Sequence, residues 1–270
     1  MVFLQELQIT SEKAAEKIRR SAEYFGYTAY TSPSPKGDPK GGVSVLVRNA
    51  SLHVSVTGPM LAPIPGRLIF VPATVCGVDS RLSSVYVPAD PAQRKTFAAN
   101  THFQVNDITE GDWNSVPDVR VDTLRVDTDN RVYANLYGKE INLMLANAGL
   151  TDISRSLFSP TDVVPAEPGF TRFGTSVFTR LDRFHANTCN HTWITAGTAT
   201  DTFPTHLSDH LPVVATIAAA EPQKAGIKMA RINPSVYSDP QVRLDIESIW
   251  KSAYHDNDIL GRSRSEGDKW

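Results

Sequence analysis

Acidic, amide and imidazole side chains stand where several short apolar runs end. Glu6 follows such a run near the start of the chain, Asp112 and Asn114 share a Gly-Asp-Trp-Asn segment, and Asp209 directly precedes His210. Carboxylate and carbonyl-type oxygens suit Mg²⁺, which keeps several waters and takes one or two protein carboxylates. A neighbouring histidine can accept a proton from a water nucleophile. Together these groups are the parts needed for metal-assisted hydrolysis of a phosphate ester.

Each group taken alone also has an ordinary explanation. An acid at a strand end is usually a solvated turn residue, which is the plain interpretation of Glu6. Gly-Asp-x-Asn is a good turn, because Asp and Asn bond their own backbone. Ser208-Asp209-His210 before Leu-Pro is compatible with an ordinary loop. The combination of the groups, in this order along the chain, favours the chemical interpretation.

The elements that must position these groups follow from hydrophobic patterning. A helix is expected from a cap at Ser11 toward Gly26, with Ala15, Ile18, Ala22 and Phe25 on one face. Two more helices are expected, over Ala92–Ala99 and Glu140–Ala148. Strands are expected over Val2–Gln5, Val43–Arg48, Leu52–Val56, Arg67–Val75, Leu82–Val87, Arg180–Ala186, Thr192–Ala196 and Pro212–Ile217. This mixed order favours a layered α+β or α/β domain over a strict βαβ repeat.

Composition narrows the class of protein. The chain has 270 residues, 41% of them hydrophobic, which is typical of a globular protein. No apolar run approaches the roughly 18–20 residues of a membrane helix, so no membrane partner is expected. Cys76 and Cys189 lie in no metal or redox motif, which indicates reduced thiols in an intracellular protein. The formal net charge of −2 argues against tight nonspecific binding of nucleic acid, although a metal ion supplies local positive charge.

Five segments, in order, resemble the motifs of the endonuclease/exonuclease/phosphatase superfamily. Leu4-Gln5-Glu6 resembles its Leu-Gln-Glu strand end, and Gly111-Asp112-Trp113-Asn114 its Gly-Asp-Phe/Trp-Asn segment. The other three are Val85-Tyr86-Val87-Pro88, Thr179-Arg180-Leu181-Asp182-Arg183 and Ser208-Asp209-His210-Leu211-Pro212-Val213. The resemblance implies a DNase I-like α+β fold: a four-layered sandwich of two packed, mostly antiparallel sheets flanked by helices.

The resemblance also implies roles for individual residues. Glu6 and Asp209 would bind Mg²⁺ or Mn²⁺, and no small-molecule cofactor is expected. The remaining roles all serve in-line attack of water on the phosphate. Asp112 and Asn114 would position the water and the phosphate, and Tyr86 would contact the phosphate or the leaving oxygen. His210 would act as general base or as donor to the phosphoryl oxygen, and Asp182 would orient His210.

A finer resemblance is to the endonuclease of non-LTR (LINE-type) retrotransposons. It is carried by Gly-Asp-Trp-Asn, by Gly149-Leu150-Thr151-Asp152 before Arg155, and by Ala230-Arg231-Ile232-Asn233-Pro234, which resembles a segment leading into the reverse transcriptase. This implies an endonuclease-like domain over residues 1–219 and a linker with a helical segment over 220–270, the helix at Gln241–Ala253. DNA is then the expected partner and the nucleus the expected site of action.

The match has departures that leave other functions open. The strand that precedes Leu-Gln-Glu in the superfamily has no counterpart here, Ser84 stands where Asn is usual, and Phe97–Gly111 is short. These departures indicate a truncated or decayed copy, with unpaired backbone and apolar surface where the first strand is missing. The alternatives are an inactive remnant of a retroelement, and an abasic-site repair nuclease or phosphatase of the same superfamily.

Overall fold

The computed structural model of the chain describes residues 1–125, 136–156, 169–174, 177–187, 193–198 and 208–218. The chain divides into two compact units, Met1–Ala220 and Glu221–Trp270. The second unit lies outside the described residues, as do the segment 230–234 and the helix predicted at 241–253. The predicted domain division therefore stays a prediction.

The described part of the first unit contains strands and a smaller number of helices. The helices are α1 (Glu12–Tyr24), α2 (Pro91–Ala99), α3 (Val119–Asp122), α4 (Lys139–Asn147) and α5 (Ile153–Ser156). The strands are β1 (Val2–Leu4), β2 (Tyr27–Ser32), β3 (Val43–Arg48), β4 (Val54–Val56), β5 (Leu61–Ile64), β6 (Leu68–Val75), β7 (Val78–Tyr86), β8 (Asp107–Asp112), β9 (Thr123–Arg125), β10 (Thr151–Asp152), β11 (Arg172–Phe173), β12 (Val177–Thr179), β13 (Asp182–Ala186), β14 (Trp193–Thr198) and β15 (Val213–Ala218).

The largest sheet has seven strands in the order β10-β13-β8-β7-β6-β4, with β5 also paired to β6. Strand β8 lies near its centre, parallel to β7 and antiparallel to β13. A second sheet has the order β1-β3-β2, β14 pairs with β15, and a small sheet has the order β11-β12-β9. Every described strand pair except β7–β8 is antiparallel. The predicted α+β class with mostly antiparallel sheets is confirmed.

Strand β6 separates two cores, because alternate side chains of a strand point to opposite faces. Ile69 packs with Val45 of β3 in the cluster between the large sheet and the second sheet. Leu68 packs with Phe97 of α2 and Ile141 of α4 on the other face. Helix α1 in turn contacts β2. The large sheet is therefore covered on both faces and forms a rigid support for residues at its strand ends.

Helix α1 begins as its sequence predicts, with the Ser11 hydroxyl accepting a hydrogen bond from the Ala14 amide at 3.3 Å. Ala15 and Ala22 are buried, whereas Phe25, assigned to the same helix face by its spacing, is 74% exposed. Phe25 is the residue that follows the helix, where the chain turns at Gly26, and it lies outside the buried stripe. None of the helices that the structure describes is long and apolar enough to cross a membrane.

Strand β1 lies at the edge of its sheet. Within the described residues it pairs only with β3, and β15 pairs only with β14. Both β1 and β15 line one cleft, whose floor includes Phe184 and Val75 of the large sheet. The end of this cleft is where the candidate catalytic residues meet.

Candidate active site

Strand register brings three of the predicted residues into one row. Asp112, the last residue of β8, lies opposite Tyr86 on β7 and opposite Asp182 on β13. The three residues are only 3%, 3% and 8% exposed, respectively. Side chains directly opposite one another on neighbouring strands lie within interaction distance. The row therefore places a phenol and two carboxylates side by side at one end of the sheet.

Glu6 reaches this row from the second sheet. Its backbone lies in the left-handed region, at a φ of 51°, which for a non-glycine residue costs about 1–3 kcal/mol. The strained turn breaks strand alternation directly after Gln5, so consecutive side chains both face the large sheet. The Tyr86 hydroxyl donates a hydrogen bond to the Glu6 carboxylate. Glu6 is thereby joined to the row across the gap between the two sheets.

His210 enters from the loop that precedes β15. Its Nδ1 lies 2.8 Å from a carboxylate oxygen of Asp182. Thr171 holds Asp182 and the residue that follows His210: its hydroxyl accepts from the Asp182 amide at 3.0 Å, and its carbonyl accepts from the Leu211 amide at 2.6 Å. The Ser208 hydroxyl accepts a further hydrogen bond from the His210 amide at 3.0 Å. The predicted pairing of a histidine with an orienting carboxylate is present in this geometry.

Asn114 holds the Asp112 carboxylate. Its backbone amide donates to one Asp112 oxygen at 2.9 Å, and its side-chain amide donates to the other at 3.0 Å. The same side-chain amide donates to the Val87 carbonyl at 2.9 Å. Trp113 between them is fully buried and donates to the Arg183 carbonyl at 3.0 Å, which anchors the turn. Both oxygens of Asp112 are therefore fixed in direction.

Glu6, Asp112, Asp182 and His210 line a common cleft with a volume of about 600 Å³. Tyr86 and Asn114 support it through their bonds to Glu6 and Asp112. Asp209 is placed differently: its carboxylate is 56% exposed and lies 3.1 Å from the Arg172 guanidinium. It is absent from the described residues that line the cleft. Its predicted metal role stays a prediction, with the Arg172 ion pair arguing against it.

The acids of the row and the histidine shift each other's pKa values. Burial would lower the pKa of His210, but the hydrogen bond to Asp182 and the charges of Asp182, Asp112 and Asp209 raise it to about 9. Burial and then the charge of Asp182 raise the pKa of Asp112 to about 7. Burial, followed by the hydrogen bond to Glu6, raises the pKa of the Tyr86 phenol. At neutral pH, His210 is thus a cation and Asp112 is able to take up a proton.

Sequence reasoning missed one acid at this site. Glu110 lies two residues before Asp112 on β8, lines the same cleft and is only 6% exposed. Burial, then the nearby charge of Asp182, raises its pKa well above the ordinary value for a glutamate. The only sequence signal is its spacing from Asp112, because residues i and i+2 of a strand share a face.

A buried ion network supports the start of β13. The Arg180 guanidinium bonds Asp122 at 2.8 Å and Asp152 at 2.6 Å, and all three side chains are at most 11% exposed. Arg155 adds a second ion pair to Asp122. The Arg180 amide also donates to the Asp122 carbonyl at 3.0 Å. These contacts fix the chain two residues before Asp182, and so fix the partner of His210.

No family model matches the sequence, and a search of curated proteins finds no match. Solved structures do match. AP endonuclease LMAP from Leishmania major superposes with a TM-score of 0.59 at 16% identity, covering 78% of this chain and 76% of that one. The chain has the endonuclease/exonuclease/phosphatase fold. The endonuclease domain of TRAS1, a telomere-specific non-LTR retrotransposon, matches at a TM-score of 0.47 and 16% identity, covering 73% and 80%. TDP2 of D. rerio complexed with single strand DNA product matches at 0.46 and 15% identity, covering 80% and 85%.

This endonuclease/exonuclease/phosphatase fold presents a donor set suited to a hard cation. Glu6, Glu110, Asp112 and Asp182 all line the cleft, and no lysine or arginine is among its described lining residues. The charge of Glu6 acts on Asp112, so their carboxylates lie close enough to interact. Within the described ranges, no group of three or more His, Cys, Asp or Glu side chains is arranged to hold a metal ion. An open site with one or two carboxylate ligands, as Mg²⁺ prefers, fits this arrangement.

Proposed function

We propose that the chain is a Mg²⁺-dependent phosphodiesterase that nicks DNA, of the kind found in LINE-type retrotransposons. The observation that carries the proposal is the convergence of Glu6, Tyr86, Asp112, Asp182 and His210 on one cleft end. Hydrolysis of a phosphodiester needs a base for the water, a donor for the phosphoryl oxygen and a cation for the developing charge. The cleft offers a candidate for each requirement.

The roles follow from the protonation states. Asp112, fixed by Asn114 and with a pKa of about 7, would take the proton of the attacking water. His210, protonated at neutral pH and fixed by Asp182, would donate to a phosphoryl oxygen, and its alternative role as general base stays a prediction. Glu6 would hold the metal ion, which when bound supplies positive charge to the phosphate.

Support for a retroelement role comes from the sequence. Gly-Asp-Trp-Asn, the segment at Gly149–Arg155 and the segment at 230–234 resemble that branch. Water attack that breaks the bond to the 3′ oxygen would leave a 3′ hydroxyl, which a reverse transcriptase could extend as a primer. Nuclear action follows from the same proposal.

A second candidate function is cleavage at abasic sites. It stays open because the sequence motifs are shared across the superfamily, and the Leishmania major AP endonuclease has the same fold at 16% identity. A retained cleft with no catalysis, as in a decayed element, is the third alternative. One experiment separates the three.

The test uses supercoiled plasmid and a matched abasic duplex, each with Mg²⁺ or EDTA. We expect Mg²⁺-dependent nicking by the wild-type chain and loss of at least 100-fold in His210→Ala. His102→Ala is the matched control, since His102 is exposed and does not line the cleft. Extension of the nick by a DNA polymerase would demonstrate a 3′ hydroxyl. Much faster cleavage of the abasic duplex would favour the repair function, and equal nicking by wild type and His210→Ala would refute both.

A further inference from the structure

Glu110 lies on β8 one layer below the row formed by Tyr86, Asp112 and Asp182. In the strand register, Ser84 of β7 and Phe184 of β13 lie opposite Glu110, one layer below Tyr86, Asp112 and Asp182. The next layer down is apolar, with Ile108 between Leu82 and Ala186. Glu110 is therefore a carboxylate inserted between the catalytic row and the hydrophobic core.

The layer is bonded to the segment that carries Glu6. The Gln5 side-chain amide donates to the Glu110 carboxylate at 2.5 Å and to the Ser84 hydroxyl at 3.0 Å. The Ser84 hydroxyl in turn donates to the Leu4 carbonyl at 3.0 Å. Gln5 and Ser84 thus connect the end of β1 to two strands of the large sheet.

The side-chain bonds of Gln5 and Ser84 lie where the backbone pairing between β1 and β3 ends. The ladder between β1 and β3 ends at Leu4, and the next described backbone hydrogen bond of this segment is from Leu7 to Gly42 at 3.1 Å. Glu6 lies between these two points with a strained backbone. The side chain of Gln5, the preceding residue, is therefore a main support for the direction of Glu6.

Keeping a carboxylate in this layer is costly. A buried polar group without full compensation costs free energy, and a buried charge costs more. A leucine of similar volume would pack against Phe184 and Ile108 without that cost. Packing alone therefore gives no reason for an acid at this position, whereas the Gln5 bond does.

We propose that Glu110 is a positioning residue that acts through Gln5 to hold Glu6 in its metal-binding direction. The inference rests on the proposed function, because it assigns Glu6 a metal. It predicts that thermal stability and metal affinity change independently. Removing the acid leaves the core intact but releases Glu6.

The test compares three variants of the whole chain. Glu110→Leu removes the acceptor, Glu110→Gln keeps an acceptor oxygen for Gln5, and Thr109→Val is a control on the opposite face of β8, where the buried Thr109 hydroxyl has no partner. We expect Glu110→Leu to retain or increase the thermal midpoint. Its Mn²⁺ dissociation constant, measured by electron paramagnetic resonance, should rise at least tenfold. Glu110→Gln and Thr109→Val should stay within threefold of wild type.

Hydrogen exchange of residues 2–7 without metal keeps the inference testable if the chain neither binds metal nor nicks DNA. Glu110→Leu should exchange this segment at least tenfold faster than Glu110→Gln. Absent Mn²⁺ binding by the wild type would refute the proposed function, and the exchange comparison would still decide the positioning role. Unchanged exchange and unchanged Mn²⁺ affinity in Glu110→Leu would overturn the inference, and so would a loss of affinity in Thr109→Val of the same size.

Discussion

Asp182→Asn should convert His210 from a cation to a neutral imidazole at neutral pH. The pKa of His210 is raised from 6.5 to about 9, although burial alone would lower it. This shift corresponds to about 3 kcal/mol in favour of the imidazolium. The Asp182 carboxylate, 2.8 Å away, is the first cause that raises it. Without that charge, we expect the pKa of His210 to fall to 6.5 or below.

The change should be visible in activity and in stability. At pH 7.5 the protonated fraction of His210 would fall by about tenfold, so nicking should be at least tenfold below wild type, and this ratio to wild type should shrink toward pH 6. A raised folded-state pKa contributes stability that is complete below pH 6.5 and is lost as pH rises through 9. The wild-type free energy of unfolding should therefore decrease by about 3 kcal/mol over this window. Asp182→Asn should lack this decrease.

Proton NMR titration of the imidazole C2 resonances measures the pKa directly, with His210→Gln identifying the His210 signal. A His210 titration midpoint near 6.5 in the wild type would refute the role assigned to Asp182. A midpoint near 9 that persists in Asp182→Asn would refute it as well. A uniform loss of activity at every pH would indicate that Asp182 serves packing instead of charge.

Three further predictions concern the frame around the site. Gly111→Ala should destabilise the fold by about 3 kcal/mol or more in urea unfolding, because the added Cβ would lie 2.3 Å from a backbone carbonyl of β7; Gly58→Ala, where the nearest atoms are at 3.5 Å, is the control. Arg180→Met should cost about 3–5 kcal/mol, since it removes the cation shared by two buried aspartates and leaves Asp122 with Arg155 and Asp152 with Arg183 at 3.9 Å. Arg120→Met, which removes an exposed ion pair, is the control and should leave the free energy of unfolding almost unchanged. Burial lowers the pKa of His185 to about 3, so the free energy of unfolding should fall by about 5 kcal/mol as the pH is lowered from 6.5 to 3. In His185→Gln the free energy of unfolding should depend less on pH over this range.

The ends of the catalytic strands could be predicted from the sequence, because their motifs combine an apolar run with a polar terminus. Asp112 is the last residue of β8, although its motif was predicted to lie just past a strand, and Asp182 begins β13, two residues after the predicted start at Arg180. Strands β2 and β5 were not predicted, since Tyr27–Ser32 is largely polar and Leu61–Ile64 contains a proline. Strands of two or three residues such as β10 and β11 depend on partners distant in sequence, which no local pattern encodes.

The directions in which side chains point were harder to predict from the sequence than the strands themselves. Asp209 and His210 are neighbours in sequence, but His210 turns to Asp182 while Asp209 pairs with Arg172. Glu110 is an acid inside a strand, which local patterning assigns to solvent. Only the register of β7, β8 and β13 shows that it lies buried beside Gln5. Long-range pairing, which decides these directions, is absent from single-sequence periodicity.

Among the strands that the structure describes, none pairs with the outer edge of β1, and this has a consequence for handling the protein. An open strand edge is a template for another strand, and here Met1 and Val2 are each 38% exposed. Glu6 follows two residues after the strand, so a second copy that added to this edge would also cover the acidic cleft. A second copy of the chain and a nucleic acid would then compete for the same cleft. Specific nicking activity should therefore fall as protein concentration rises, whereas simple instability would lower it at every concentration.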